Sequence, residues 1–176
     1  HERDPHLGCR RSHHGHRGVS VMQLTFEHTF DAPIDTVFAI LTSAELYAAL
    51  DDQAQVTIHQ QDQVCTVRIE RAFPTHDIPS PARSLVGDAI QILEVTQWVS
   101  ADKGFSATFD VRAPGKPLTF IGTIELAADK TKTTFALSGN LKVNVPLIGA
   151  GLEKQVGELL TFQLQETAGQ AQELLR

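Results

Sequence analysis

The polar side chains that could do chemistry lie in segments where apolar and polar residues alternate. On the face of the segment that carries each of them, the other residues are apolar. His28 shares one face of its segment with Leu24, Phe26 and Phe30. A neutral imidazole at a cavity wall can hydrogen-bond a ligand or act as a general base. The alternative is a core histidine whose polar atoms are satisfied by the protein itself. The surroundings of His28 decide between these two interpretations.

Arg71 and Glu94 occupy inward positions in two other alternating segments. Arg71 has the parity of the apolar residues around it, and Glu94 has the parity of Ile92 and Trp98. If both side chains point inward, they can form a buried ion pair, or the arginine can bind a carboxylate. A bulge near Ile92 and Leu93 would instead turn Glu94 outward.

Trp98 and Cys65 also have both a chemical and a packing interpretation. Trp98 suits stacking against a flat ligand, although a lone tryptophan usually packs in a core. Cys65 lies in apolar surroundings and is interpreted as a small buried hydrophobe rather than a nucleophile. The sequence has no GxSxG, HExxH, CxxC, P-loop or EF-hand pattern, so no cofactor and no metal site is predicted.

The composition limits the class of partner. The chain has 176 residues, enough for one domain with a core or with a core that encloses a cavity. The formal net charge is -6, and it is -8 from Met22 onward, because four of the 15 Lys+Arg and two of the 21 Asp+Glu precede that residue. An acidic body without a basic stripe argues against nucleic acid and anionic membranes as partners.

The segment before Met22 differs from the rest of the chain. Residues 1–21 hold five of the eight histidines and show no apolar period, which predicts a disordered or non-native leader before a domain at 22–176. Loose metal binding by these histidines and Cys9 is the functional alternative. No segment has the length of a membrane span, and the two cysteines lie in unlike contexts, so we expect a cytoplasmic protein without integral membrane association.

The patterned segments predict an α+β chain. Alternation over 22–30 indicates a half-buried strand, Pro33 suits the first turn of a short helix, and Ser43 or Thr42 can cap a second one. Six further alternating segments, joined by short turns, predict a seven-stranded antiparallel sheet. These six segments are 55–60, 64–73, 87–100, 104–113, 117–128 and 132–145.

The stretch from Asn140 to Leu160 changes from a strand period to a helical period. Apolar spacing after Pro146 predicts a helix from Leu147 to Leu175, about 29 residues and about 44 Å long. Gly149 and Gly151 would each cost up to about 1 kcal/mol in its first turns. Either close packing on a strand or room at the mouth of a cavity would compensate.

The segment from Ser80 to Gly87 predicts a short helix between two strands. Ser80 can cap it, Pro81 suits its first position, and Gly87 follows its end. Such a helix serves either as a lid or as a plain connection.

The order of one strand, two short helices, six strands and a long last helix resembles the helix-grip fold of the START and birch-pollen-allergen superfamily, also called SRPBCC. The resemblance extends from Met22 to the C-terminus, and residues 26–41 resemble the superfamily's opening strand and helix. Residues 78–87, 115–126 and 142–160 are similar to an uncharacterised actinobacterial family of unknown function. The resemblance implies a curved sheet of seven strands that wraps around the long C-terminal helix.

The resemblance also implies the binding or transport of a small hydrophobic ligand, lipid or polyketide-like, between sheet and helix. The alternative is a polyketide cyclase or dehydratase-like enzyme that uses His28 as acid and base, together with Glu94 or Arg71. A third possibility is an interaction module that forms a homodimer through the long helix or a sheet edge. The residues expected to line the cavity are Phe26, His28, Phe30, Ile69, Arg71, Glu94, Trp98, Phe109, Phe120, Phe135, Leu152 and Val156.

Overall fold

A computed structural model describes residues 21–76, 78, 80–147 and 149–176, without the side chains of residues 81, 82 and 85. The predicted leader lies outside the described residues except for Val21, which is exposed. The metal-binding alternative for its histidines and Cys9 therefore also lies outside them.

Seven antiparallel strands form one sheet, as the alternation of apolar and polar residues predicts. The order of the strands across the sheet is β1-β7-β6-β5-β4-β3-β2, so every neighbouring pair except β1 and β7 is also consecutive in the chain. The strands are β1 (Met22–Phe30), β2 (Gln55–Gln61), β3 (Val64–Pro74), β4 (Ala89–Ala101), β5 (Gly104–Arg112), β6 (Leu118–Asp129) and β7 (Lys132–Val143).

The pairing of β3 with β4 settles the direction of Glu94. The register runs without interruption from Val64 opposite Val99 to Pro74 opposite Ala89, so no bulge interrupts β4 at Ile92 and Leu93. Period-two alternation therefore persists, and Glu94 stays on the same face as Trp98.

The described residues form four helices, and the cap of α2 follows the predicted chemistry. The helices are α1 (Ile34–Leu41), α2 (Ala44–Leu50), α3 (Ser80–Val86) and α4 (Gly149–Leu174). The Ser43 hydroxyl caps α2 and accepts a hydrogen bond from the Leu46 N–H at 3.4 Å. Thr42 instead donates to the Phe38 carbonyl at 2.8 Å and closes α1.

The last helix begins later than the sequence predicts. α4 has 26 residues and starts at Gly149, because Leu147 has φ +71° and is fully exposed. A Cβ atom on Gly149 would lie 2.6 Å from the Val143 carbonyl oxygen, whereas nothing lies within 4 Å of one on Gly151. Close packing therefore explains Gly149 and does not explain Gly151.

Small residues bring α4 close to one side of the sheet. A Cβ atom on Gly157 would lie 3.0 Å from the Met22 sulfur, and Ala168 and Ala171 are buried. α4 packs against β1, β7, α1 and α2. Larger side chains of α4, such as Val156, Leu160 and Leu164, face a space between the helix and the sheet.

Two glycines face each other where β6 pairs with β7. Gly122 lies opposite Gly139, and a Cβ atom on either would come within 2.8 Å of the Phe109 ring. The rings of Phe109 and Phe120, whose centroids are 4.8 Å apart, occupy this space on the inner face of the sheet. The glycines thus allow two aromatic rings to lie close to the backbone.

Glu153 is a buried carboxylate that ties α4 to the end of β7. Its side chain is 2% exposed, and its Oε1 accepts a hydrogen bond from the Val143 N–H at 3.1 Å.

We expect Glu153→Ala to lower the free energy of unfolding by about 1–3 kcal/mol, because this N–H loses its acceptor. Urea denaturation measures the loss. Glu153→Gln should lose less, since its amide oxygen still accepts, and an Ala variant as stable as the wild type would contradict the assignment.

Candidate functional site

A cavity lies between the inner face of the sheet and the helices α2 and α4. The space open to the centre of a water-sized sphere is about 170 Å³. At about 15 Å³ for each such sphere, this is room for on the order of ten water-sized groups. The cavity is therefore larger than an ordinary packing defect in a core.

Most of the cavity wall is apolar. The sheet contributes one wall, and α4 contributes a stripe of residues at helical spacing, Val156, Leu159, Leu160 and Leu164. The largest apolar side chains on the sheet side are Phe73, Ile90, Ile92, Trp98, Phe109, Phe120 and Phe135. Such a wall attracts apolar molecules and repels isolated charges.

Arg71 on β3 and Glu94 on β4 bring two opposite charges into this wall. Arg71 Nη2 and Glu94 Oε2 are 3.6 Å apart, and their side chains are 22% and 25% exposed. Arg71 Nε is buried and has no hydrogen-bond partner among the described residues. The pair is thus an ion pair without a close hydrogen bond, and it leaves donor capacity on the arginine unused.

Tyr47 adds a phenol next to this pair. Its hydroxyl donates a hydrogen bond to the Leu41 carbonyl at 2.9 Å, so its oxygen can still accept one. Burial, followed by the nearby Glu94 charge, raises the pKa of Tyr47 well above its usual value. The phenol therefore stays neutral at physiological pH.

Three more polar side chains line the cavity. Thr96 extends from β4, and Gln163 and Thr167 interrupt the apolar stripe of α4. The Thr167 hydroxyl donates back to the Gln163 carbonyl at 2.8 Å. The cavity is thus apolar overall, with polar groups at a few points where they can orient a bound molecule.

Burial raises the pKa of the Glu94 carboxyl, and the Arg71 charge opposes that shift. The folded protein therefore holds this proton more tightly than the unfolded chain does. Its contribution to stability is full below the ordinary glutamate pKa of 4.5 and is lost as the pH rises through the raised value.

This shift gives a pH-dependent prediction. As the pH rises above 4.5, the wild type should lose stability relative to Glu94→Gln. The free energy of unfolding of the variant minus that of the wild type should therefore increase. Urea denaturation of both proteins between about pH 4 and pH 8 tests it. Parallel curves over this range would contradict a raised pKa.

The structure brings several of the predicted residues together at the cavity. Those that line it are Arg71, Glu94, Trp98, Phe109, Phe120, Phe135 and Val156. Trp98 also contacts the Phe38 ring edge to face at 5.8 Å, so it has both a packing role and a surface toward the cavity. Cys65 is buried, as predicted, and burial raises the pKa of its thiol.

Five residues that were predicted to line the cavity lie outside the lining described above. Phe30 and Ile69 are buried in the core, and Phe26, His28 and Leu152 are half-buried against it. Inward parity places these side chains on the covered face of the sheet or helix. It does not separate positions that are packed against other side chains from positions that border open space.

His28 matters most among these five residues, because the enzymatic hypothesis depends on it. Its ring contacts Phe30 edge to face at 4.6 Å, and its Nε2 is buried without a hydrogen-bond partner among the described residues. Burial lowers the pKa of His28, so the imidazole stays neutral at physiological pH. Four strands separate β1 from β3 in the sheet, so His28 is remote from Arg71 along the sheet order.

The sequence-based reasoning missed Tyr47, Gln163 and Thr167 as cavity residues. A signal existed for the two residues of α4, because both fall on the helical stripe that carries Leu160 and Leu164. Tyr47 had no comparable signal, since only the packing of α2 against α4 and β2 reveals its position.

The segment containing α3 borders one end of the cavity through Ile78. Thr75 closes the base of this segment, because its N–H bonds to the Asp88 carbonyl at 3.1 Å and its hydroxyl donates to the Gly87 carbonyl. Arg83 Nη2 donates to the carbonyl of His76 at 2.7 Å and to that of Ile78 at 3.0 Å. The predicted short helix is therefore part of a loop that is held together by its own hydrogen bonds.

The described part of the chain has neither a metal-binding cluster nor a membrane-spanning helix. No group of three or more His, Cys, Asp or Glu side chains there could hold a metal ion. No helix there has both the length and the apolar character needed to cross a membrane.

Solved structures with the same architecture identify the fold. The chain is similar to TTHA0849 from Thermus thermophilus, with a TM-score of 0.60 and 17% identity over 86% of this chain and 95% of that one. The Zhui aromatase/cyclase from Streptomyces sp. R1128 gives 0.56 and 15%, over 89% and 97% of the two chains. A START superfamily protein from Mycobacterium smegmatis gives 0.55 and 12%, over 86% and 98%. The predicted helix-grip fold is confirmed.

Sequence comparison identifies the family. No curated protein matches the chain significantly. The family model described as protein of unknown function (DUF2505) matches residues 25–175, which include all of the sheet except the first residues of β1. The chain therefore belongs to the DUF2505 family.

Proposed function

We propose that this protein binds a small hydrophobic molecule, of lipid or polyketide-like character, in the cavity between the sheet and α4. The observation that carries the proposal is the apolar space of about 170 Å³ under the helix. An unfilled apolar space of this size costs on the order of a few kcal/mol of stability relative to a packed core. A binding role accounts for a space that stability alone does not favour.

The polar groups of the lining support orientation of a ligand. Tyr47, Arg71 and Glu94 lie together on one side, and Gln163 and Thr167 extend from α4. A few such groups in an apolar wall are typical of small-molecule sites. The START superfamily protein and the aromatase/cyclase that share this fold support the same general class of role.

The enzymatic alternative needs an acid or base that reaches the ligand. His28, on which the cyclase or dehydratase hypothesis depends, is not part of the cavity lining. Arg71 and Glu94 converge at 3.6 Å, but the Tyr47 phenol beside them stays neutral and already donates its hydrogen bond to the Leu41 carbonyl. This arrangement favours anchoring over proton transfer. We therefore favour a binding or transport role.

Homodimer formation stays a prediction, and light scattering checks it.

Binding of a neutral fluorescent probe tests the proposal. N-phenyl-1-naphthylamine should bind the purified protein at one saturable site, with an increase in its emission. Val156→Trp puts an indole into the cavity and should weaken binding at least about tenfold, or about 1.4 kcal/mol. Gln155→Trp changes the preceding residue of α4, which is exposed, and should leave binding unchanged.

Three results would count against the proposal. These are the absence of saturable binding to the wild type, equal binding by Val156→Trp, and equal losses in both tryptophan variants. Mass spectrometry of an organic extract of the purified protein provides an independent check, because a retained natural ligand should appear in the wild type and be depleted in Val156→Trp.

A further inference from the structure

Arg71 is an arginine whose charge the protein compensates only partly. Its sole polar partner among the described residues is Glu94, at 3.6 Å, and its Nε–H is buried without an acceptor. A guanidinium offers five N–H donors, and charge-assisted hydrogen bonds to carboxylates are usually about 2.7–2.9 Å long. The observed contact is longer than that range, so most of the donor capacity of Arg71 is unused.

Only one of the two groups in the pair can lose its charge. Arginine stays protonated in proteins, whereas a carboxylate can take up a proton. Burial raises the pKa of Glu94, which weakens its ability to balance Arg71. The titratable group that lies beside this pair is Tyr47 on α2, and burial raises the pKa of its phenol and keeps it neutral. The site therefore has a fixed cation, Arg71, and a conditional anion, which is the Glu94 carboxyl group that is charged only when it has lost its proton.

A cation in such a wall selects for a particular ligand chemistry. A carboxylate can accept two parallel hydrogen bonds from a guanidinium, while an ester or a hydroxyl offers less charge and weaker bonds. A phosphate ester carries up to two negative charges, and a single partly engaged cation would leave the second one buried without a partner. A single carboxylate matches the unused capacity of Arg71.

We propose that the bound molecule is an amphipathic carboxylic acid, whose carboxylate binds Arg71 inside the cavity while its apolar body fills the remaining space. This inference rests on the proposed function and assigns the ligand class of the same cavity. The space holds on the order of ten water-sized groups, so a medium-chain acid of comparable size is a suitable probe.

A matched pair of ligands separates the charge from the apolar body. Octanoate and methyl heptanoate have the same numbers of carbon and oxygen atoms, but only octanoate is ionised at pH 8. Displacement of N-phenyl-1-naphthylamine gives the two dissociation constants. Without an anchoring cation, the ester should bind more tightly, because burying an unpaired carboxylate is costly. We expect the wild type to prefer octanoate by about tenfold, which corresponds to about 1.4 kcal/mol.

Variants test whether Arg71 causes the preference. Arg71→Gln should reverse it, so that the ester becomes the tighter ligand. Glu94→Gln should increase the preference for octanoate several-fold, because a competing anion is removed. Arg68→Gln serves as the matched control, since Arg68 lies exposed on the outer face of the same strand and should leave the ratio unchanged.

The possible outcomes separate this inference from the proposed function. If both ligands displace the probe but the wild type prefers the ester, the ligand class is wrong and the binding role stands. If Arg71→Gln keeps the preference, or Glu94→Gln lowers it, Arg71 is not the anchor. If the probe itself does not bind, the proposed function fails and this inference fails with it.

Discussion

Gly122→Ala should lower the free energy of unfolding by about 3 kcal/mol or more. A Cβ atom at this position would overlap the Ser138 carbonyl oxygen and lie 2.5 Å from the Gly139 Cα and 2.8 Å from the Phe109 ring. Two of these contacts are with backbone atoms of the paired strand, which cannot move without disturbing the β6–β7 ladder.

A glycine elsewhere in the chain provides the control. Gly169 lies within α4, and nothing lies within 4 Å of a Cβ atom placed on it. Gly169→Ala should therefore raise the free energy of unfolding by about 0.5–1 kcal/mol, because alanine favours a helix interior. Urea denaturation of both variants measures the contrast. A Gly122→Ala protein that is as stable as the wild type would show that β6 and β7 are not packed as described.

Removal of Glu94 should cost more stability than removal of Arg71. Glu94→Leu leaves a cation that cannot lose its proton in an apolar wall, and we expect a loss of about 2–4 kcal/mol. Arg71→Met leaves a carboxyl group that can take up a proton, so the loss should be about 1–2 kcal/mol. These values allow for the 22% and 25% exposure of the two side chains.

The double variant completes the test. Arg71→Met combined with Glu94→Leu removes both charges and should be near the wild type in stability, because paired buried charges are often no better than apolar side chains. Urea denaturation at pH 7 gives the four free energies of a double-mutant cycle. Additive losses, or a larger loss for Arg71→Met, would contradict the description of a fixed cation opposite a conditional anion.

The sheet was predictable because its pattern is local. Period-two alternation in strands such as β3 and β7 follows directly from burial of one face, and short turns join neighbouring strands. The start of α4 was less predictable, because apolar spacing says nothing about Leu147, whose positive φ delays the helix. That conformation depends on how the chain leaves β7 rather than on the residue itself.

The cavity was only partly predictable, for a physical reason. The parity of Arg71 and Glu94 showed that both could face inward, and the register of β3 and β4 makes them diagonal neighbours, with Arg71 opposite Ile92 and Glu94 opposite Ile69. The parity of His28 was equally clear, yet His28 packs beside Phe30 and does not border the cavity. Which inward residues border open space depends on where α1 and α4 cover the sheet, and that is a property of tertiary packing.

The uneven seating of α4 has a consequence for how a guest would exchange. One side of the helix packs closely through Gly157, Ala168 and Ala171. The side that carries Val156, Leu160 and Leu164 faces the cavity. A helix that is held along one side can rotate about that side as a rigid body. This rotation widens the gap between its other side and the sheet. Entry and exit on this route leave the helical hydrogen bonds intact, so the backbone amides of α4 would stay protected from solvent deuterium while the guest turns over.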